Sequence, residues 1–159
     1  MLYPNLLARD FEKLPGALRR FHAAPAGATA SGTVDVRRTS AWAGLVGFPP
    51  NGAGMPLRLE VIADGDQENW TRTFGDYVLR TRQRLEGELL LESIGPVRVF
   101  FRVSADHAGM RFESERARLW GVPIPLRIAA QTWGTDVSWR FEVTVAGVGS
   151  YQGTAVPAV

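Results

Sequence analysis

The sequence predicts a mainly β fold: a strongly curved antiparallel meander or barrel of eight to nine strands behind a short helical N-terminus. Three observations carry that expectation. Apolar residues recur at helical spacing only near the N-terminus, and from Thr29 onward the spacing becomes two. Gly, Asp and Pro turn pairs then punctuate the chain at short intervals. Connections that short join antiparallel neighbours, because a parallel crossover takes about a dozen residues or more. With so many strands, twist accumulates far enough to curl or close a sheet, with the helices plugging or covering an open side. A two-layer α+β arrangement, helix on sheet, is the alternative.

Residues 4 to 23 read as two short helical pieces, with Pro15-Gly16 at their junction because Pro suits a first helical turn and breaks an interior. Leu7, Phe11, Leu14, Leu18, Phe21 and His22 form their apolar stripe. The helical segment covers residues 1–25 and the sheet residues 26–159 of a single domain. ATASGTVDVRR is the first strand, with Gly32 as a candidate bulge. Residues 41 to 47 fit one helical turn, and FPPNGAG is a loop. PLRLEVI, QENWTRTF, YVLRTRQRL, ELLLESI, VRVFFRVSA and MRFESERARLW follow as strands, the first pair joined by the Asp64-Gly65-Asp66 hairpin signal. Val122-Pro123-Ile124-Pro125 interrupts, since a Pro pair does not fit a central strand. LRIAAQTWG and VSWRFEVTVAG close the sheet.

Composition narrows the function classes. The chain has 159 residues, 45% of them hydrophobic and 21% charged, values of an ordinary globular domain rather than a disordered one. It has no Cys, which removes disulfides, thiolate nucleophiles and cysteine-rich metal sites and fits a reducing, cytoplasmic setting. The opening MLYPNLLARDFEKL carries Asp10 and Glu12 and lacks the apolar stretch of a signal peptide, and no apolar run is long enough to span a bilayer. Every basic residue but Lys13 is Arg, yet the net charge is only +2. Arg80, Arg82 and Arg84 share one strand face, but Glu86, Glu88, Glu92, Glu113 and Glu115 on neighbouring strands make a solvated face with cross-strand pairs the better reading than a nucleic-acid surface.

The catalytic inventory is thin. There are two histidines: His22 lies on the apolar helical stripe and His107 in an Asp-His-Ala-Gly turn, expected in solvent. No His-x-His, His-Glu-x-x-His, aspartate-rich loop or phosphate-binding glycine motif occurs, so neither metal nor cofactor is expected. The most informative stretch is Glu68-Asn69-Trp70-Thr71-Arg72-Thr73-Phe74. In an extended strand Glu68, Trp70, Arg72 and Phe74 share a face, and two large aromatics turn that face inward. Two readings stay open. In one, Glu68 and Arg72 pair at the rim with the Arg stem over Trp70. In the other, Arg72 receives an acidic headgroup inside an aromatic-lined cavity. Either way an acid, Glu68 or Glu92, is expected beside Arg72, because a buried unpaired guanidinium is too costly.

Five landmarks in order, LYPNLLARDFEKLPGALRRFHA, GFPPNGAGMPLRLEV, the E-x-W-x-R-x-F strand, Leu91 to Pro96 and LWGVPIPL, resemble a bacterial domain-of-unknown-function family, numbered four-one-six-six. The resemblance spans nearly the whole chain. Its pattern falls on Leu2, Tyr3, Leu14, Pro15 and His22, on Trp70, Arg72 and Phe74, on Glu92, Gly95 and Pro96, and on Gly149, Tyr151 and Gly153. Thr154 stands where the pattern has an aromatic. The resemblance implies relatives that occur alone or appended to dehydrogenase-like or membrane-associated proteins, and it implies no reaction. It singles out His22, Trp70, Arg72, Glu92 and Tyr151.

The leading expectation is a non-catalytic domain that binds an apolar or amphipathic small molecule, lipid included, inside the curved sheet, with Trp70, Arg72, Phe74, Glu92, His22 and Tyr151 around it. The runner-up is an accessory module with a filled core that steadies an oxidoreductase or a membrane-associated partner. An enzyme using His22 or Glu92 as acid–base group is a third reading. Cavity volume separates the first two: a space of roughly 300 Å³ or more lined by Trp70, Phe74, Phe101 and Trp139 favours a ligand.

Overall fold

A computed structural model describes residues 1–158. The N-terminus folds as α1 (Leu2–Leu7), a 3₁₀ segment η1 (Ala8–Lys13) and α2 (Gly16–His22), with Pro15 capping α2 as its position beside Gly16 predicts. Each piece is too short to be stable alone, so it is held by what it buries. Leu2, Tyr3, Leu7, Phe11, Leu14, Leu18 and Phe21 all enter the common core.

Eleven strands follow: β1 (Gly27–Arg38), β2 (Gly52–Asp64), β3 (Gln67–Phe74), β4 (Tyr77–Glu86), β5 (Leu89–Ile94), β6 (Val97–Ala105), β7 (Met110–Leu119), β8 (Val122–Ile124), β9 (Ile128–Gly134), β10 (Trp139–Val145) and β11 (Gly149–Pro157). They run as an up-and-down antiparallel meander that closes on itself where β11 pairs with β1. β8 and β9 run in the same direction and pair with the two ends of β7: Leu119 faces Val122, and Glu113 faces Ala129. They are two halves of one strand broken around Pro125, so the ring is a closed barrel of ten strands. An even number is what closure demands when every neighbour is antiparallel.

The nine strands read from the sequence are all present. The tenth, β11, was missed because GSYQGTAVP has two glycines and few large apolar residues. Pairing on both sides, with β1 and with β10, holds it extended. Gly32 is not a bulge. It pairs regularly with Leu57 and Ala155, and the irregularity of β1 lies between Val34 and Val36. Gly32 is needed for a close approach: a Cβ there would sit 1.8 Å from the Thr154 carbonyl oxygen. Such glycines let a barrel wall bend sharply.

The two ends of the barrel differ. α1, η1 and α2 plug the end that carries the β2–β3, β4–β5, β6–β7 and β9–β10 turns; Ala17 N–H donates to the Thr135 carbonyl at 3.1 Å, and Gly134 packs against Pro15 and Leu18. The other end is capped by the β1–β2 connection, which contains a second 3₁₀ segment, η2 (Ala41–Val46). Tyr77 Oη donates to the Gly47 carbonyl at 3.0 Å, and the Arg38 guanidinium donates to the Phe48 and Pro49 carbonyls at 2.6 and 2.8 Å. Among the described residues, the only helical turn after β1 is the one expected at residues 41 to 47. No helix among the described residues is long and apolar enough to cross a membrane.

Candidate functional site: a polar cluster inside the barrel

Alternation in β3 turns Glu68, Trp70, Arg72 and Phe74 toward the barrel interior, as the aromatic spacing predicts; Glu68, Trp70 and Phe74 are buried. β4 has the same two-residue period, but its hidden face is polar in the middle. Arg80, Arg82 and Arg84 stand in solvent while Leu79, Thr81 and Gln83 point inward. β5 then contributes Leu90 and Glu92 to the interior. The arginine face is solvated as expected, but the expected cross-strand acid pairs are not what engages it: Arg82 donates to Asn69, and Arg84 pairs with Glu86 of its own strand. Glu92 does not belong to that face: its parity in β5 is that of fully buried Leu90, and it projects inside.

Register brings these side chains together across three strands. Arg72 Nη1 donates to Glu92 Oε1 at 2.8 Å and to Thr81 Oγ1 at 2.9 Å, and Thr81 in turn donates to the same Glu92 oxygen at 2.6 Å. A hydroxyl can accept from one neighbour and donate to the other through the same atom. The Arg72 and Glu92 side chains are 15% and 11% exposed, so solvent screens the pair weakly. Burial, the largest single influence, would lower the proton affinity of the guanidinium, but Glu92 together with Tyr151 and Tyr3 more than offsets it and holds Arg72 above its ordinary range. Its plane also lies over Trp70, 4.8 Å from the ring centroid. Of the two acids expected beside Arg72 the partner is Glu92. The expected rim pair of Glu68 with Arg72 does not form. Glu68 instead accepts from Trp70 Nε1 at 3.2 Å and from the Leu2 amide at 3.4 Å. Burial raises its pKa, those two hydrogen bonds opposing.

His22 extends the cluster toward the helical plug. Its ring lies 4.0 Å from that of Tyr3 and 5.8 Å from that of Trp70, and burial lowers its pKa to about 3, so the ring is neutral at physiological pH. Tyr3 Oη donates to Gln83 Oε1 at 2.9 Å. Burial, then the charges of Glu68 and Glu92, push the Tyr3 phenol well above its usual range. Tyr151, from β11, packs edge-on to Phe74 at 5.3 Å and near Phe48 and Phe141. Burial raises its pKa against the opposing charge of Arg72. His107 is exposed in the β6–β7 turn, as expected.

Between these groups lies a cavity of about 180 Å³. All six residues expected at a site, His22, Trp70, Arg72, Phe74, Glu92 and Tyr151, border it, and so do Phe101 and Trp139. Several of its polar atoms have capacity to spare. Nε and Nη2 of Arg72, both ring nitrogens of His22 and the Tyr151 hydroxyl have no hydrogen-bond partner among the described residues. No fully enclosed side-chain nitrogen or oxygen lacks a partner there, so these atoms border open space. Thr81, Gln83 and Tyr3 were missed as site residues. The available signal was parity: Thr81 and Gln83 alternate with three arginines and share the face of Leu79 and Leu85. No family model and no curated protein matches this chain.

Proposed function

We propose that the barrel is a non-catalytic binding domain that encloses one compact apolar or amphipathic molecule, its polar end at Arg72, Glu92 and Tyr151. The observation that carries this reading is the cavity itself, bordered at once by aromatic rings and by accessible polar atoms that no other described residue engages. A packed interior has little reason to keep such atoms unpaired. The volume sets the scale of the ligand. At about 180 Å³ the cavity is smaller than the roughly 300 Å³ at which drug-sized sites begin. It exceeds the ~150 Å³ apolar cavity that takes up benzene. The ligand is therefore small, or inserts only one end. Glu92 already balances the charge of Arg72, so the head group that fits best both donates and accepts: a hydroxyl, a carboxamide or a protonated carboxylic acid.

The resemblance drawn from the sequence supports the same residues, since its five singled-out positions all border the cavity. The modest volume favours one other reading, the interaction module with a filled interior. Acid–base catalysis by His22 fits poorly, because a group with a pKa of about 3 is far from the working pH at which proton transfer is efficient.

Native mass spectrometry of gently purified protein tests the proposal. The expected spectrum shows a species heavier than the bare chain, whose excess mass organic extraction releases as one small compound. Bare chain alone, together with a melting temperature unmoved by a panel of small alcohols, amides and carboxylic acids, would leave the interaction module as the better account.

A further inference from the structure

The capped end of the barrel, opposite the helices, carries an unusual surface. Trp42 and Leu45 of η2 are each 71% exposed, and Trp120 and Val122 of the β7–β8 hairpin are 79% and 63% exposed. Among the described residues only one other large apolar side chain, Val137, is exposed to that degree. Both groups stand beside the β5–β6 turn: Gly47 packs on Ile94, and the Trp120 amide donates to the Pro96 carbonyl at 3.1 Å.

Trp120 is held there at a cost. Its φ is +48°, in the left-handed region that a bulky side chain seldom adopts, and Gly121 follows at +83°. Asn or Gly is the ordinary occupant of such a turn. A strained backbone that presents an indole to solvent points to a use for that indole.

Charge is distributed along the barrel axis as well. Arg37, Arg98, Arg118 and Arg127 are exposed on or next to the connections of the capped end, and Arg38 holds its loop. The acids there are Asp76 and Asp35, the latter engaged with the Gly54 amide. The helical end is mixed: its turns carry Asp64, Asp66, Glu86, Glu88, Asp106 and Asp136, and its plug carries exposed Arg9, Lys13, Arg19 and Arg20. The capped end is thus cationic with protruding tryptophans, and the helical end carries both signs.

We infer that the capped end docks on a bilayer surface containing anionic phospholipid. Trp42, Leu45, Trp120 and Val122 enter the interfacial zone, where an indole's apolar body and N–H are both satisfied. The arginines meet headgroup phosphates. The inference is independent of any cavity ligand. It would, however, place the cavity wall on that side, which Val46, Gly47, Phe48 and Pro49 form, beneath the lipid-facing loop.

Co-sedimentation of the full chain with vesicles of phosphatidylcholine alone, or mixed with phosphatidylglycerol, tests it. Wild type is expected to sediment with the mixed vesicles and to dissociate as salt rises. Trp42→Ala combined with Trp120→Asn should weaken that binding by about tenfold or more. Asn suits the positive φ, so this variant should melt no lower than wild type, which separates lost binding from lost folding. Arg118→Gln with Arg127→Gln should remove most of the preference for the anionic mixture, and Trp133→Ala at the other end should change nothing. Equal loss from Trp133→Ala, or wild type remaining in the supernatant with both vesicles, would overturn the inference. So would concentration-dependent self-association abolished by the Trp42/Trp120 variant in the absence of vesicle binding, which would assign the surface to a second copy of the chain.

Discussion

Arg72 and Glu92 meet at 2.8 Å across an intervening strand, and Thr81 completes their contact. Removing either charged partner strands the other inside the barrel, and the energetics of such pairs are asymmetric. Arg72→Met is expected to lower stability by about 3 kcal/mol, as is Glu92→Gln by a smaller amount, because its amide can still accept from Arg72 and Thr81. The double change Arg72→Met with Glu92→Leu should recover most of that loss, since no unpaired charge remains. Denaturant titrations of the three variants check this. A double variant as unstable as the sum of its parts would show that the pair is not the unit at work. Arg72→Lys is a second probe. It preserves the charge but not the fork that reaches Glu92 and Thr81 together, so it should restore stability only in part.

At the scale of elements, closure depends on the β1–β11 seam. Gly32 and Gly153 sit on its two sides, and a Cβ at Gly153 would lie 2.2 Å from the Thr33 carbonyl oxygen. The neighbouring atoms are backbone, so they cannot move aside without breaking the ladder. Gly32→Val is expected to cost several kcal/mol or to prevent closure, despite the high strand propensity of Val. Far-UV circular dichroism and a thermal melt read the outcome, and a variant with wild-type stability would show that the seam can open. The helical plug obeys the burial pattern instead. Phe21 packs 5.7 Å from Trp70 and 5.0 Å from Trp139, so Phe21→Ala should destabilise by roughly 3–5 kcal/mol. Parity and stripe were sufficient to place Phe21, Trp70 and Phe74 inside. They were not sufficient for β11, whose sequence has a weak strand signal and whose conformation is imposed by two partners.

For the whole molecule, the buried titratable groups set the dependence of stability on pH. His22 has a folded pKa of about 3 against an ordinary value near 6.5. Below pH 6.5 the unfolded chain takes up a proton that the folded chain refuses, so stability falls as pH drops toward 3, by about 1.4 kcal/mol per pH unit at most. Glu68 acts in the opposite sense. Its pKa is raised on folding, so the folded state holds a proton more tightly just above pH 4.5, and stability falls as pH rises through that window. The His22 contribution is read between pH 6.5 and 5, where its unfolded-state proton is taken up. His22→Phe, which keeps the ring stack with Tyr3 and Trp70, should flatten the melting temperature across that interval while wild type declines. Equal slopes for the two proteins would mean that another group carries the effect.

The sequence by itself determined the class of fold, the inward face of β3 with Trp70, Arg72 and Phe74 on it, and the place of His22 on the helical stripe, because each of those follows from a local period of two or three to four residues; Glu92 and Tyr151 were singled out only by the resemblance. Tertiary structure decided the rest. It decided that the ring closes at ten strands, because closure depends on pairing between β1 and β11, more than a hundred residues apart. It chose Glu92 over Glu68 as the partner of Arg72, because the register of β4 against both neighbours sets which carboxylate lies within reach. And it gathered Trp42 and Trp120, each an unremarkable aromatic in its own stretch of chain, at one end of the barrel beside the arginines. Local patterns report which face of a strand is hidden; which residues share that hidden space is a property of register and closure.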